Sequence, residues 1–459
     1  MFFIQLLKNR IKSQLGKDLL RTFCVRLVAA TGALAFALII GRLFGPSGVG
    51  VYALAYGILL GIGVLCRLGM DNALMRFVGS DIDSPFAKTY LLWAVKWCLS
   101  LSCCASLLLY LFRFYLEEVF SAPGLSSVLV GISIAAPAYT LSFALSGFFK
   151  GVRKPATASL MENGLISLLA CSILLMFKWL YPSPDLAILG YSYSIAAWFV
   201  AIHGVFKIIF WFRNSTNNSL VERGGSLSLR KDPAPVSYAR FMTTSRAFFV
   251  TGLAGFMQSV LGVMIAGLLL TNAELGLFKS AQQLAVLIGF ILVVIDAIFP
   301  PRFAHLYHQG ELQALERLAK QGALLGLIFA SPLLILCLSV PGWMLGWYGE
   351  EFKDGANLLR IITIANLVNV ATGSVSFLLN MTGHERLMRN IALSCNALGL
   401  IAFFVLPQVL GALGAALALS FIFVVQNLTA MFFVWRRLGI WTLPSPNFLR
   451  WLGIRSVTV

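Results

Sequence analysis

The chain has 459 residues, 59% of them hydrophobic and only 12% charged, with a net charge of +17 and a mean hydropathy of +0.86. This balance excludes an ordinary soluble domain, and roughly 20 apolar residues per hydrocarbon crossing leave room for about a dozen spanning helices. The apolar runs are continuous and do not alternate, which excludes a barrel and predicts helices that close their own backbone hydrogen bonds in lipid.

The chain opens on MFFIQLLKNRIKSQLGK, read either as an amphipathic segment on the inner membrane face or as a tail. Spans are predicted at 19–40, 48–68, 87–111, 125–147, 158–180 and 186–212. The first carries Arg26 and lacks the features of a cleavable leader, so an uncleaved helix is expected. Between the first two spans, in IIGRLFGPSGVGVYALAYG, glycines and a proline over residues 41–50 permit a tight reversal. A polar interval follows span six, RNSTNNSLVERGGSLSLRKDPAPVSYAR. Six more spans are predicted at 241–270, 277–301, 319–341, 355–381, 387–406 and 411–435. The expected plan is therefore an N-terminal six-helix lobe over 1–212, a cytoplasmic linker over 213–240, a C-terminal six-helix lobe over 241–435 and a cytoplasmic tail over 436–459.

Basic residues set the orientation. Lys8, Arg10, Lys12, Lys17, Arg21, Lys150, Arg153, Lys154, Arg223, Arg230, Lys231, Arg317, Lys320, Arg386, Arg389, Arg436 and Arg437 fall on one side of the twelve-span plan. The other side holds Glu117, Glu118, Asp185, Glu274, Glu350, Glu351 and Asp354, with few basic residues besides Arg42, Arg113 and Lys353. The bias predicts that both termini are cytoplasmic. Because the charge is dispersed over many short loops, it does not form a nucleic-acid patch. The eight cysteines lie in or beside spans with no metal-ligand spacing, and no Walker motif is present, so neither a metal nor another cofactor is expected.

The halves repeat weakly. A shift of 226 residues lays LFGPSGVGVYALA, from residue 43, on LLTNAELGLFKSA, from residue 269, pairing Gly50 with Gly276 and Tyr52 with Phe278. With a one-residue slip it also lays DNALMRF on DAIFPPRF, pairing Arg76 with Arg302, and a shift of 232 pairs Gly151 with Gly383. An even number of spans per lobe makes this a parallel repeat, the arrangement of a carrier whose lobes rock about a central cavity. The fold expectation is an all-α membrane protein of about twelve transmembrane helices in two such lobes.

Four segments, GRLFGPSGVGVYALA, RLGMDNALMRFVG, FFKGVRKPATAS and LGALGAALALSF, resemble the polysaccharide transporter family of bacterial oligosaccharide flippases. These are relatives of the O-antigen flippases, in the superfamily that includes multidrug extruders and the lipid-linked peptidoglycan precursor flippase. The resemblance implies transport of undecaprenyl-diphosphate-linked oligosaccharide across the inner membrane for cell-surface polysaccharide or O-antigen biosynthesis. Membrane lipids, a polysaccharide polymerase and a chain-length regulator are the partners it suggests, and nucleic acid is not one.

Charges inside spans are costly and face a cavity or a partner. Against a diphosphate cargo the candidate substrate-binding residues are Arg26, Arg76, Lys96, Arg246, Lys279 and Arg302, and the candidate ion-coupling groups are Glu162, His203 and Asp296. For each a plainer reading stands beside this one. Lysines and arginines near span ends, Arg67 and Lys207 among them, reach to headgroups; Glu162 and Asp296 pair with cations; His203 packs. Gln258, Gln282, Gln283, Asn366, Asn369 and Asn380 line a sugar path or hold helices together. Glu316 and Lys320 are expected to pair at helical spacing. A multidrug exporter is the alternative within the same superfamily, although a cationic drug would favour carboxylates. A membrane polymerase or glycosyltransferase would need a sizeable loop carrying a carboxylate or metal cluster, which this sequence lacks, so no enzymatic activity is expected.

Overall fold

A computed structural model of the chain describes residues 14–80, 86–181, 185–222 and 237–443. The described residues are helical throughout, and they fall into two compact units: Met1–Phe44 with Val51–Val260, and Gly45–Gly50 with Leu261–Val459. The residues 1–13, 223–236 and 444–459, which include the amino-terminal basic segment, most of the polar interval and the carboxy-terminal tail, lie outside those described.

The first unit contains α1 (Gln14–Arg67), α2 (Met70–Ser80), α3 (Ala87–Leu111), α4 (Arg113–Val119), α5 (Leu125–Gly151), α6 (Pro155–Leu160), α7 (Asn163–Leu180), α8 (Ala187–Glu222) and α9 (Tyr238–Phe256). Helix α1 is interrupted at Gly45, where φ is 64°. It reverses there, because the Phe36 and Tyr52 rings meet at 5.3 Å although a straight helix would hold residues sixteen apart about 24 Å apart. Helix α5 is the centre of the unit. It is apolar or small on all faces and almost wholly buried, as a helix surrounded by others must be. Glycines admit its neighbours: a Cβ on Gly131 would stand 2.1 Å from the Gly190 carbonyl carbon of α8, and one on Gly147 would stand 2.2 Å from the Asp71 carbonyl oxygen of α2. The buried Thr140 and Ser142 hydroxyls donate to carbonyls of their own preceding turn, at 2.9–3.1 Å, so neither hydroxyl is left open in the core.

The second unit contains α10 (Gly262–Leu269), α11 (Asn272–Ile298), α12 (Pro300–His308), α13 (Leu312–Ser339), α14 (Pro341–Leu345), α15 (Ala356–Thr372), α16 (Val375–Met381) and α17 (Glu385–Leu438). A π-helical turn over Met257–Leu261 precedes α10. Helix α17 reverses at Gly411, and a Cβ on Gly399 would strike the Ile422 side chain at 2.2 Å.

The turn at residues 45–50 packs on the start of α11. A Cβ on Gly50 would stand 2.0 Å from the Asn272 carbonyl oxygen, and one on Gly276 would stand 1.9 Å from the Pro46 carbonyl oxygen. Under the 226-residue shift Pro46 corresponds to Asn272 and Gly50 to Gly276. Each glycine therefore meets the carbonyl at the position that the shift assigns to the other's partner.

Among the described residues, seven helical stretches are long and apolar enough to cross a membrane, and two of them, Cys24–Arg67 and Glu385–Leu438, each hold two arms separated by the glycine reversals. The chain is a multi-pass helical membrane protein. Several predicted spans coincide with helices, 87–111 most closely, and others are broken. The fifth divides at Met161–Glu162, where Glu162 is extended (ψ −172°), and the tenth divides at Gly373, where φ is 69°.

Candidate functional site

Two kinds of charged group in the first unit bear on a site. The carboxylates Asp71 and Glu162 are engaged. Arg67 at the end of α1 pairs with Asp71 of α2 at 3.1 Å, donates from Nε to the Gly63 carbonyl at 2.7 Å and lies 4.2 Å over the Phe143 ring. Its side chain is only 13% exposed, which corrects the expectation that it reaches to headgroups. The left-handed residues Leu68 and Gly69 turn the chain there, allowing arginine and aspartate to meet across the corner. Glu162 stands at the break between α6 and α7 and turns back to α5, accepting from Lys150 and from the Ser146 hydroxyl, the latter at 3.0 Å.

The cations named from the sequence are the second kind. Arg26, Arg76, Lys96 and Arg246 are exposed, and among the described residues none has a carboxylate within salt-bridge distance. Arg26 precedes the Gly45 reversal by nineteen residues, about 28 Å along the helix, which places it near the opposite edge of a roughly 30 Å hydrocarbon layer. Lys96 is about 13 Å into α3. An aromatic cluster holds the helices that carry the other three cations. Phe241 of α9 is fully buried against Phe77 of α2 and Tyr90 and Trp93 of α3, at ring distances of 5.8, 6.1 and 5.7 Å. Trp97 donates to the Tyr238 hydroxyl at 2.6 Å, and the Ser245 hydroxyl donates to the Leu68 carbonyl at 2.6 Å. Arg76, Lys96 and Arg246 therefore lie on three helices fastened to one another, and Arg246 immediately follows the latching serine.

In the second unit Lys279 is half-buried in α11 and donates to the Gln282 side-chain oxygen at 2.8 Å, one turn along. Asp296 accepts from the Ser374 hydroxyl, at the start of α16 just past the Gly373 break. This corrects the expectation that it pairs with a cation. Arg302 lines a cavity of about 360 Å³ with His305, Arg317 and Gln321. His203 lines another, of about 470 Å³, with Phe206, Lys207 and Arg213 on α8. The expected Glu316–Lys320 pair is present at 2.6 Å.

Sequence reasoning does not single out Lys150, Ser146, Ser374 or Ser245 for the contacts they make. Lys150 is visible in FFKGVRK as an orientation charge, but its pairing depends on the turn at residues 152–154 and on the break at Glu162. The serines carry no signal, since each acts through a partner brought close only by the tertiary fold.

Outside the membrane spans, Glu117 of α4 caps α5, accepting from the Gly124 amide at 3.1 Å and the Ser126 amide at 2.8 Å. Burial pushes its pKa up, but the hydrogen bonds from the Ser126 hydroxyl and from these two amides outweigh it and hold the group below its ordinary value.

Residues 15–306 match the family model described as polysaccharide biosynthesis protein. No curated protein matches the chain. Solved structures similar to it include the lipid II flippase MurJ in an inward closed conformation, at 12% identity and a TM-score of 0.69, covering 91% of this chain and 87% of that one. The MATE multidrug transporter DinF-BH, solved as a complex, is similar at 16% identity and a TM-score of 0.61, covering 91% and 94%. A mutant of the Vibrio cholerae MATE transporter VcmN is similar at 16% identity and a TM-score of 0.58, covering 92% and 97%. At these identities the likeness establishes the fold, that of the transporters to which both kinds of neighbour belong.

Proposed function

The chain belongs to the polysaccharide biosynthesis protein family, and from that premise we propose that it is a flippase carrying undecaprenyl-diphosphate-linked oligosaccharide from the cytoplasmic to the periplasmic leaflet of the inner membrane. The observation that carries this reading is the asymmetry of its charges. Arg26, Arg76, Lys96 and Arg246 are exposed without carboxylate partners among the described residues, while Asp71, Glu162 and Asp296 are each engaged. A diphosphate brings about two negative charges past hydrocarbon in which a single charge costs several kcal/mol. Arginines able to grip phosphate oxygens through two N–H groups offset that cost. A cationic drug would need the reverse, open carboxylates.

Arg26 and Arg246 receive the diphosphate at the cytoplasmic end, and Arg76 and Lys96 extend the positive surface from the helices fastened to α9. In the second unit, Lys279 is the proposed cargo contact. Glu162, His203 and Asp296 are the groups through which an ion gradient couples, by alternating access. On this reading the protein is a carrier that makes and breaks no covalent bond.

The test is transport in proteoliposomes. Arg26→Gln and Arg246→Gln each abolish movement of the lipid-linked sugar while the protein still inserts, and Lys at either position keeps part of it. Arg437→Gln, at the end of α17, serves as the control. Equal transport by all three glutamine variants overturns the assignment of these cations.

A further inference from the structure

Helices α3 and α4 share one inward face. Ser102, Ser106, Leu109, Arg113, Leu116 and Phe120 are buried or half-buried and stand four or three residues apart, so the inward stripe of α3 carries on through Phe112 into α4. The outward face carries on with it, and its chemistry changes in order. Leu107, Leu108 and Leu111 come first, then Phe112, Phe114 and Tyr115 beside Tyr110, then Glu118. The four aromatic residues are 42–63% exposed, and no residue of α4 is buried.

Two of these rings are held from within. The Arg113 guanidinium lies 4.1 Å from the centre of the Tyr110 ring and 4.3 Å from that of Phe114, and it donates to the Tyr110 carbonyl at 2.6 Å. Glu117 fixes the other side of α4 by accepting from the Gly124 and Ser126 amides at the start of α5. The rings are thus ordered by the protein, yet the protein leaves their outer side bare.

What covers them follows from the helix they continue. Helix α3 is one of the membrane-crossing stretches, so its exposed leucines lie against acyl chains. The aromatic patch is unbroken with that lipid-facing surface, and a carboxylate stands next in line. Leu111 and Glu118 are seven residues apart, about 10 Å of helix. Leucine, aromatic ring and carboxylate follow one another as acyl chain, headgroup layer and water do at the edge of a bilayer, and aromatic residues with a polar tip favour the middle layer.

We propose that α4 is a lipid-interface anchor. Tyr110, Phe112, Phe114 and Tyr115 seat in the headgroup layer of one leaflet, and through Glu117 they set the level of α5, the buried centre of the first unit. The anchor is independent of the cargo reading, because it requires only a membrane-inserted protein.

The experiment uses the full-length protein in vesicles of phosphatidylethanolamine and phosphatidylglycerol. Its eight cysteines are replaced by alanine, and a nitroxide label is attached in turn to Leu108→Cys, Tyr115→Cys and Glu118→Cys. Collisions of each label are measured with oxygen, which concentrates in hydrocarbon, and with a water-soluble nickel chelate. The oxygen-to-nickel collision ratio is expected to fall from Leu108→Cys through Tyr115→Cys to Glu118→Cys. A ratio at Tyr115→Cys equal to that of either neighbour places the rings in hydrocarbon or in water and overturns the anchor. Low collision with both reagents there means that protein, a second copy included, covers the face, and overturns it too. If the cysteine-free chain does not fold, photoreactive benzoylphenylalanine in place of Phe114 in the otherwise wild-type chain reports instead. Irradiation then yields a lipid adduct by mass; a crosslinked dimer, or no adduct, refutes the proposal.

Discussion

Replacing Gly276 by alanine tests the paired turn contact directly. The added Cβ would stand 1.9 Å from the Pro46 carbonyl oxygen and 3.1 Å from the Gly50 amide nitrogen, both backbone atoms that cannot rotate aside. Ordinary contact begins near 3.4 Å, so the turn and α11 must part by about 1.5 Å. Overpacking of this kind costs roughly 1–3 kcal/mol, and the helix-propensity gain of alanine over glycine returns only about 0.5–1 kcal/mol. A net loss of about 1–2 kcal/mol is expected, read as a lower thermal midpoint in detergent. Gly342→Ala is the reference, because nothing lies within 4 Å of the Cβ it would add. Gly50→Ala should match Gly276→Ala, since it strikes Asn272 in the equivalent place. The double variant should cost less than the sum, because one separation accommodates both methyl groups. A Gly276→Ala midpoint at or above that of Gly342→Ala would refute the contact.

Lys150→Met should destabilise by about 1 kcal/mol through loss of the Glu162 partner, while Lys154→Met, at an exposed position with no ion pair among the described residues, should be neutral in the same unfolding assay. Arg67→Lys should cost about 1 kcal/mol or more, losing the planar stack on Phe143 while keeping the charge beside Asp71; thermal unfolding against Asp71→Asn separates the two contributions. Glu117 carries a depressed carboxyl, so the stability it lends is fully present above its unfolded value. That stability is lost as pH falls below about 4.5 and through the lower folded value. Hydrogen exchange at the Gly124 and Ser126 amides should therefore accelerate on acidification in wild type, and be fast and pH-insensitive, beyond the intrinsic exchange chemistry, in Glu117→Gln. Ser374→Ala should loosen the Asp296 contact and raise exchange at the Gly373 break without changing exchange around Glu162.

Much of the fold is legible in the sequence because hydropathy and glycine placement carry it. The run GPSGVG announces a reversal, and the repeat shift pairs Gly50 with Gly276, the two glycines of one shared contact. The breaks at Met161–Glu162 and Gly373 are hidden, since an apolar window averages across one or two non-helical residues. The attachment of α9 to the first unit is also invisible. It depends on Phe241 entering an aromatic pocket and Ser245 reaching the Leu68 carbonyl, contacts between residues far apart in sequence. Among charges, the intramembrane groups can be named from sequence but their partners cannot. Glu162, expected to meet a cation, does so in Lys150, a partner the sequence does not single out, and Asp296, expected likewise to meet a cation, meets the Ser374 hydroxyl. Charge is a property of the residue, whereas pairing is decided by where helices break.

The central claim is that the cargo is an anionic lipid-linked sugar, and one measurement addresses it most directly. Purified protein in proteoliposomes is supplied in parallel with undecaprenyl-diphosphate-linked oligosaccharide and with a cationic dye, and movement of each across the bilayer is followed. The account predicts translocation of the lipid-linked sugar, lost in Arg26→Gln, and no transport of the dye. Transport of the dye with no movement of the lipid-linked sugar would contradict it.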